Sequence, residues 1–330
     1  MRRSSGAMPA LLALALTTGP LMGQAAPPPG LYVDQLHRRP PAVGATPTVL
    51  ADGLEQATGL TAFDGAWWVT LSSGEIRRFT PDGEHQTVAT DLPDRFRLVT
   101  DGAHLLIETP ASLAWWVPSD GGGQFEPILT DRLGLHATHL SGGAVYWIED
   151  ENGGTLFESP LADPVQPMAR AAALGDISAI QRRDTLLILT PSGAESRGFK
   201  KLVDGEDAPR WIIRTRLRAE EMLLIGDEVW AVMVHSRGFI ERLTPEGRLG
   251  RVCYAQTGSK QLQHRHGALF WYGPSAIWRV DDEQRVPAAI VINTSPVGLI
   301  VGEESLVWID RPRGLLLTLG LSDTPTSAVP

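Results

Sequence analysis

From Thr48 onward the chain is written as short apolar runs separated by Gly, Asp, Ser or Pro. The run Thr58 to Phe63 meets Asp64-Gly65, a dipeptide suited to a two-residue hairpin that needs positive φ. Trp67 to Leu71 then gives a second strand and Ser72-Ser73-Gly74 a turn. Glu75 to Phe79 follows as a third strand, Pro81-Asp82-Gly83 as a turn, and Gln86 to Ala89 as a fourth. Aromatic and β-branched residues fill the strands while turn formers fill the gaps, so the segment predicts one four-stranded antiparallel sheet.

The same grammar returns at Asp101-Gly102, Gly142-Gly143, Arg183-Asp184, Gly226-Asp227, His266-Gly267 and Glu303-Glu304, each followed by an apolar run. The steps between first members are 37, 41, 41, 43, 40 and 37 residues. A period near forty with a strand on each side of the repeated turn predicts an all-β fold, a single seven-bladed β-propeller with four-stranded blades. The seventh blade has no outer strand after Leu315 to Leu319. Thr48-Val49-Leu50-Ala51 echoes Thr87-Val88-Ala89 at the end of the first blade. The N-terminal strand is therefore expected to complete the last blade and cover an open edge. Trp67, Trp147, Trp230, Trp271 and Trp308 recur at comparable places in second strands, which marks them as wedges between neighbouring sheets rather than ligand platforms.

The ends read differently. Arg2 and Arg3, the apolar stretch Leu11 to Leu16 and Gly23-Gln24-Ala25 make residues 1–25 a secretory signal peptide. Residues 26–43, with Pro27-Pro28-Pro29 and Pro40-Pro41, form a flexible arm, 44–321 the propeller and 322–330 a flexible tail. The expected location is periplasmic or extracellular. The formal net charge is −9, and −11 once Arg2 and Arg3 are removed. That balance lacks the cationic footprint of a nucleic-acid binder, and the mature chain has no apolar stretch long enough for a membrane span. One cysteine, Cys253, excludes an internal disulfide, and about 300 residues can bury an adequate core without one. A single-chain monomer is the expected state.

The stretch Gly59-Leu60-Thr61-Ala62-Phe63-Asp64-Gly65-Ala66-Trp67-Trp68 with Gly74-Glu75-Ile76-Arg77-Arg78-Phe79-Thr80-Pro81-Asp82-Gly83 resembles NHL-type and SMP-30/gluconolactonase-like propeller repeats. Ile240-Glu241-Arg242-Leu243-Thr244-Pro245-Glu246-Gly247 is similar to the same pattern. The resemblance implies a scaffold that hosts lactonases, lyases and pure binding modules. For lactonases it implies a divalent cation at the channel mouth, held by Glu, Asn and Asp. Glu55 precedes the first inner strand and could imitate that glutamate, but Asn152 and Asn293 are the only asparagines and lie outside the inner strands. No cofactor or metal is therefore expected, and a divalent cation belongs to the lactonase reading alone.

The repeat also works as a ruler. Six residues before each hairpin lie Thr58, Arg95, His136, Ile177, Glu220, Lys260 and Val297, at the starts of the inner strands where propellers place their sites. Thr58, Arg95, Arg97, His136, Glu220 and Lys260 are the candidate ligand-binding residues, with Arg95 and His136 side by side and Arg97 assisting contact to an anionic group. The alternative is a solvated rim in which Glu220 and Lys260 neutralise each other. His136 and His139, three apart on one strand, are expected on opposite faces. No catalytic residue is assigned: there is no nucleophile elbow or phosphate-cradling loop, and Cys253 reads as a buried inert thiol. The sequence favours a binding scaffold for a protein, peptide or glycan at the loop face. An SMP-30-like lactonase or other hydrolase, or a propeller lyase, acting at the channel mouth is the alternative.

Overall fold

The computed structural model describes residues 46–323 apart from 120–121, 163–166, 192–196, 227, 235–237, 245–246, 248 and 283–286. The expected signal peptide and Pro-rich arm, and residues 324–330 of the expected tail, lie outside the described residues. Seven four-stranded antiparallel sheets follow one another around the ring. Their inner strands are Ala57–Phe63, Arg97–Thr100, His136–Ser141, Ile177–Arg183, Arg218–Ile225, Lys260–Arg265 and Pro296–Val301. We number the blades one to seven in that order.

The hairpin turns take the conformation their residues dictate. Asp64 and Gly65 sit at φ 50° and 65°, and Gly142 and Gly143 at 62° and 74°. Blade four has no glycine at its hairpin and places Asp184 at φ 50° instead, a position an aspartate tolerates better than most side chains. The ring closes as expected from the sequence. Thr48–Ala51 pairs antiparallel with Leu315–Gly320, with Thr48 opposite Thr318. Blade seven therefore has three strands from the end of the domain and one from its beginning, and its edge is covered.

Each hydrophobic cluster straddles two neighbouring blades. Trp147, for example, packs with Leu106, Leu113 and Leu140, and Trp271 with Trp230, Ile240 and Leu262. Trp147, Trp271 and Trp308 are fully buried, and Trp230 keeps 8 % exposure. In blade one the wedge is Trp68, while Trp67 is half-buried. Burying roughly 200 Å² per indole contributes about 5 kcal/mol before ordering costs, so the tryptophans hold the ring together.

One feature of the inner strands left no mark in the sequence pattern. The register slips by one residue near the start of six of them, between Ala57 and Gly59, His136 and His139, Ile177 and Ala179, Ala219 and Glu221, Lys260 and Gln263, and Val297 and Leu299. These are β-bulges, which break the alternation of faces and leave backbone groups without a ladder partner. Strict alternation between His136 and His139 consequently does not hold.

Candidate functional site

In blades three to seven the backbone of the inner strand is met by side chains from the preceding blade. Thr138, in the bulge of blade three, donates its N–H to Glu108 Oε2 (2.7 Å) and accepts at its carbonyl from Arg97 Nη2 (3.0 Å), both from blade two. Arg97 also binds Glu108 through Nε and Nη2, each at 2.8 Å. Burial would raise the Glu108 carboxyl, but the Arg97 guanidinium and the Thr138 N–H outweigh it and hold the group below its ordinary value. Farther round the ring, Arg182 N–H donates to His139 Nε2 (3.1 Å), and Gln181 Nε2 donates to Met222 O (3.3 Å). Gln261 N–H donates to the Glu221 carboxyl. At the next seam Leu299 N–H donates to Gln261 Oε1, Val301 N–H to Gln263 Oε1 (2.9 Å), and Gln263 Nε2 to Leu299 O.

Above these clamps, blades two to five line an open cleft of about 750 Å³. Its walls combine Arg95, Arg97, His136 and Arg218 with Glu108, Asp150 and Asp176, and with apolar Phe96, Pro110, Leu135 and Ile177. His136 Nδ1 lies 2.7 Å from Gly134 O. A carbonyl only accepts, so Nδ1 carries the proton and Nε2 is the nitrogen left for a ligand. Asp150 Oδ1 stands 3.7 Å from the same ring. Below the cleft is a channel cavity of about 340 Å³ lined by Arg97, His139, Ser178, Gln181, Glu220 and Glu221, among others. Burial, and then Arg97, push His139 down to about 4. Burial raises the Glu221 carboxyl, with Gln261 N–H, Lys260 and Arg97 offsetting only part of the effect.

The six candidate ligand-binding residues divide among these places. Arg95, Arg97 and His136 line the cleft together. Glu220 lines the channel with Arg97. Thr58 instead hydrogen-bonds within its own blade, its Oγ1 2.9 Å from Thr70 Oγ1. Lys260 is exposed and lines neither cavity, and no ion pair within 4.0 Å joins it to Glu220. The loops His235–Arg237 lie outside the described residues. Cys253 is buried and its thiol is pushed up by burial, which makes it a poor nucleophile.

Arg218 is the residue that counting from hairpins overlooked. Arg95, His136, Ile177 and Arg218 are spaced by 41 residues each and all line the cleft. The inner strand of blade five, Arg218–Ile225, runs to eight residues, so counting back six from its hairpin stops at the bulge residue Glu220. Counting on by 41 from His136 and Ile177, instead of back from the hairpin, finds Arg218.

The arrangement offers cations and apolar walls more readily than catalytic groups. Among the described residues no three His, Cys, Asp or Glu side chains gather as a metal site. Glu108 is occupied on both oxygens, and the unprotonated nitrogen of His139 accepts from the backbone.

No known family profile matches the chain, and no curated protein matches it. Solved structures do match in fold. Virginiamycin B lyase from Staphylococcus aureus has 13 % identity and a TM-score of 0.65, over 84 % of this chain and 98 % of the lyase. YCF48, solved bound to a D1 peptide, has 16 % identity and a TM-score of 0.60, over 85 % of this chain and 99 % of that one. The extracellular domain of BT4673 from B. thetaiotaomicron has 13 % identity and a TM-score of 0.61, over 83 % of this chain and 40 % of that one. The chain is a β-propeller. At these identities the likeness extends to the fold alone. Among the described residues no helix is long and apolar enough to cross a membrane.

Proposed function

We propose that this propeller is an interaction module that takes a peptide or protein segment in the cleft of blades two to five. The observation that carries this reading is the make-up of that cleft, about 750 Å³ with cationic groups set beside Phe96, Pro110, Leu135 and Ile177. Such a mixture suits a ligand with both apolar and polar parts. A propeller of the same fold has been solved with a peptide bound, which supports the class of partner. The lining supports a peptide over a glycan, because its aromatic rings are Phe96 and His136, with no tryptophan among the residues of the cleft wall. The N-terminal pattern of Arg2, Arg3 and the Leu11 to Leu16 stretch supports a partner outside the cytoplasm.

Site-specific photo-crosslinking in cells that make the protein tests it. Leu133, 67 % exposed, adjoins the cleft through Gly134, whereas Val49 lies on the outer strand of blade seven. A benzoylphenylalanine at 133 should give a discrete protein or peptide adduct that the same group at 49 does not. Equal labelling from both positions would remove the cleft from the account. Chelator-sensitive hydrolysis of lactones by the purified chain would replace this reading with the enzymatic one.

A further inference from the structure

Two guanidinium groups in the cleft differ from the third. Arg97 is built into the seam between blades two and three, through Glu108 and Thr138. Arg95, two residues earlier, and Arg218, on blade five, are exposed and line the same cleft. Neither guanidinium makes a hydrogen bond or ion pair with another described residue. They come from blades two and five, the two ends of the arc that forms the cleft, and they hold equivalent positions in the repeat. Their cost in a propeller of net charge −9 is small because each remains hydrated, and their planar donor forks match a carboxylate.

Resting on the reading of the cleft as a peptide site, we propose that Arg95 and Arg218 form a two-ended clasp for the carboxylates of an acidic peptide that also carries apolar side chains. Between them His136 Nε2 accepts a backbone N–H of the peptide, since its Nδ1 donates to Gly134 O. Phe96, Pro110 and Ile177 receive the apolar side chains, and exposed Leu133 extends that surface at the rim. Asp150 disfavours a compact dianion such as phosphate, which would stand close to it, whereas a peptide brings N–H donors that a carboxylate accepts. Acidic side chains spread along a peptide can reach both arginines while its backbone passes Asp150.

The test is selection from a random dodecapeptide phage library on the purified full chain, followed by synthesis of the enriched peptides. Enriched sequences should carry an excess of Asp and Glu beside apolar residues. Their affinity should fall about tenfold or more in the R95A/R218A chain. It should fall comparably when the peptide's Asp and Glu are replaced by Asn and Gln, an arm that needs no protein variant. R95K/R218K should retain part of the affinity, since it keeps the charges and loses the forks. Enriched peptides without acidic excess, or bound equally by R95A/R218A, would overturn the clasp and leave the peptide site standing. No enrichment at all would bring down both.

Discussion

The seams between blades two and seven and the two seams that flank blade one are joined by different means. From blade two to blade seven, polar side chains of one blade bind the bulged inner backbone of the next: Glu108 to Thr138, His139 to Arg182, Gln181 to Met222, Glu221 to Gln261, and Gln261 with Gln263 to the strand beyond. Among the described residues, no side-chain hydrogen bond links the inner strand of blade one to either neighbour. Blade one relies on Trp68 against Trp116, with ring centroids 4.8 Å apart, and on the close approach of Gly298 to Leu60. Hydrogen-bonded seams fix the bulges and so fix the cleft. Apolar seams fix the circumference.

The largest effect should come from the apolar side. Gly298 sits at φ 75°, and a Cβ there would lie 2.9 Å from the Leu60 nitrogen and closer still to its Cβ. Gly298→Val places a β-branched residue in a left-handed conformation and drives it into backbone. The expected loss is about 3 kcal/mol or more, read from the urea midpoint. A variant as stable as the parent would mean that this seam opens without cost, and the contrast between seams would fail.

Next comes the best-built polar seam. Glu108→Ala should cost about 2–4 kcal/mol, because it leaves the Thr138 N–H and Arg97 without their shared carboxylate. Arg97→Ala should cost less, since its side chain is 49 % exposed and regains water more easily. Equal and negligible costs would show the clamp to be ornamental.

The two kinds of seam were not equally legible in the sequence. Closure could be read because Thr48-Val49-Leu50-Ala51 repeats an outer-strand pattern and Asp64-Gly65 has a strong conformational preference. The tryptophan wedges could be read because a recurring large apolar residue must be buried by a neighbour. The bulges could not. One extra residue at Gln261 or Glu220 changes neither composition nor turn signals, yet it decides whether a side chain faces the channel or the cleft. For the same reason counting back from the hairpins passes over Arg218 and stops at Lys260, which lines neither cavity. Arg97 looked like a free cation because its partner Glu108 lies on the second strand and its carbonyl acceptor on the next blade.

Acid titration separates two polar seams from each other. His139 is held neutral in the fold, so its contribution is complete above its unfolded value of 6.5 and disappears as pH falls toward about 4. Glu221 works in the opposite sense. Its folded value is raised, so its contribution is complete below the unfolded 4.5 and disappears as pH climbs through the folded value. His139→Gln, which can keep an acceptor for Arg182 N–H, should flatten the fall in thermal midpoint between pH 6.5 and 4. Glu221→Gln should steepen the rise with pH above 4.5. Unchanged slopes in both variants would show that neither seam titrates with folding.

The smallest expected effect on stability is the most telling for the cleft. Arg95 and Arg97 are the same residue two positions apart, at the mouth of the same blade, and only Arg97 is bonded into a seam. Arg95→Ala should therefore change the unfolding free energy by no more than about 0.5 kcal/mol, as for an ordinary surface substitution. The same should hold for Arg218→Ala. A loss above about 1 kcal/mol in either would reveal a structural partner and remove the basis for treating that guanidinium as available to a ligand. Two arginines whose removal the fold does not register, in a cleft where their neighbour is locked in place, are what a surface kept for a partner requires.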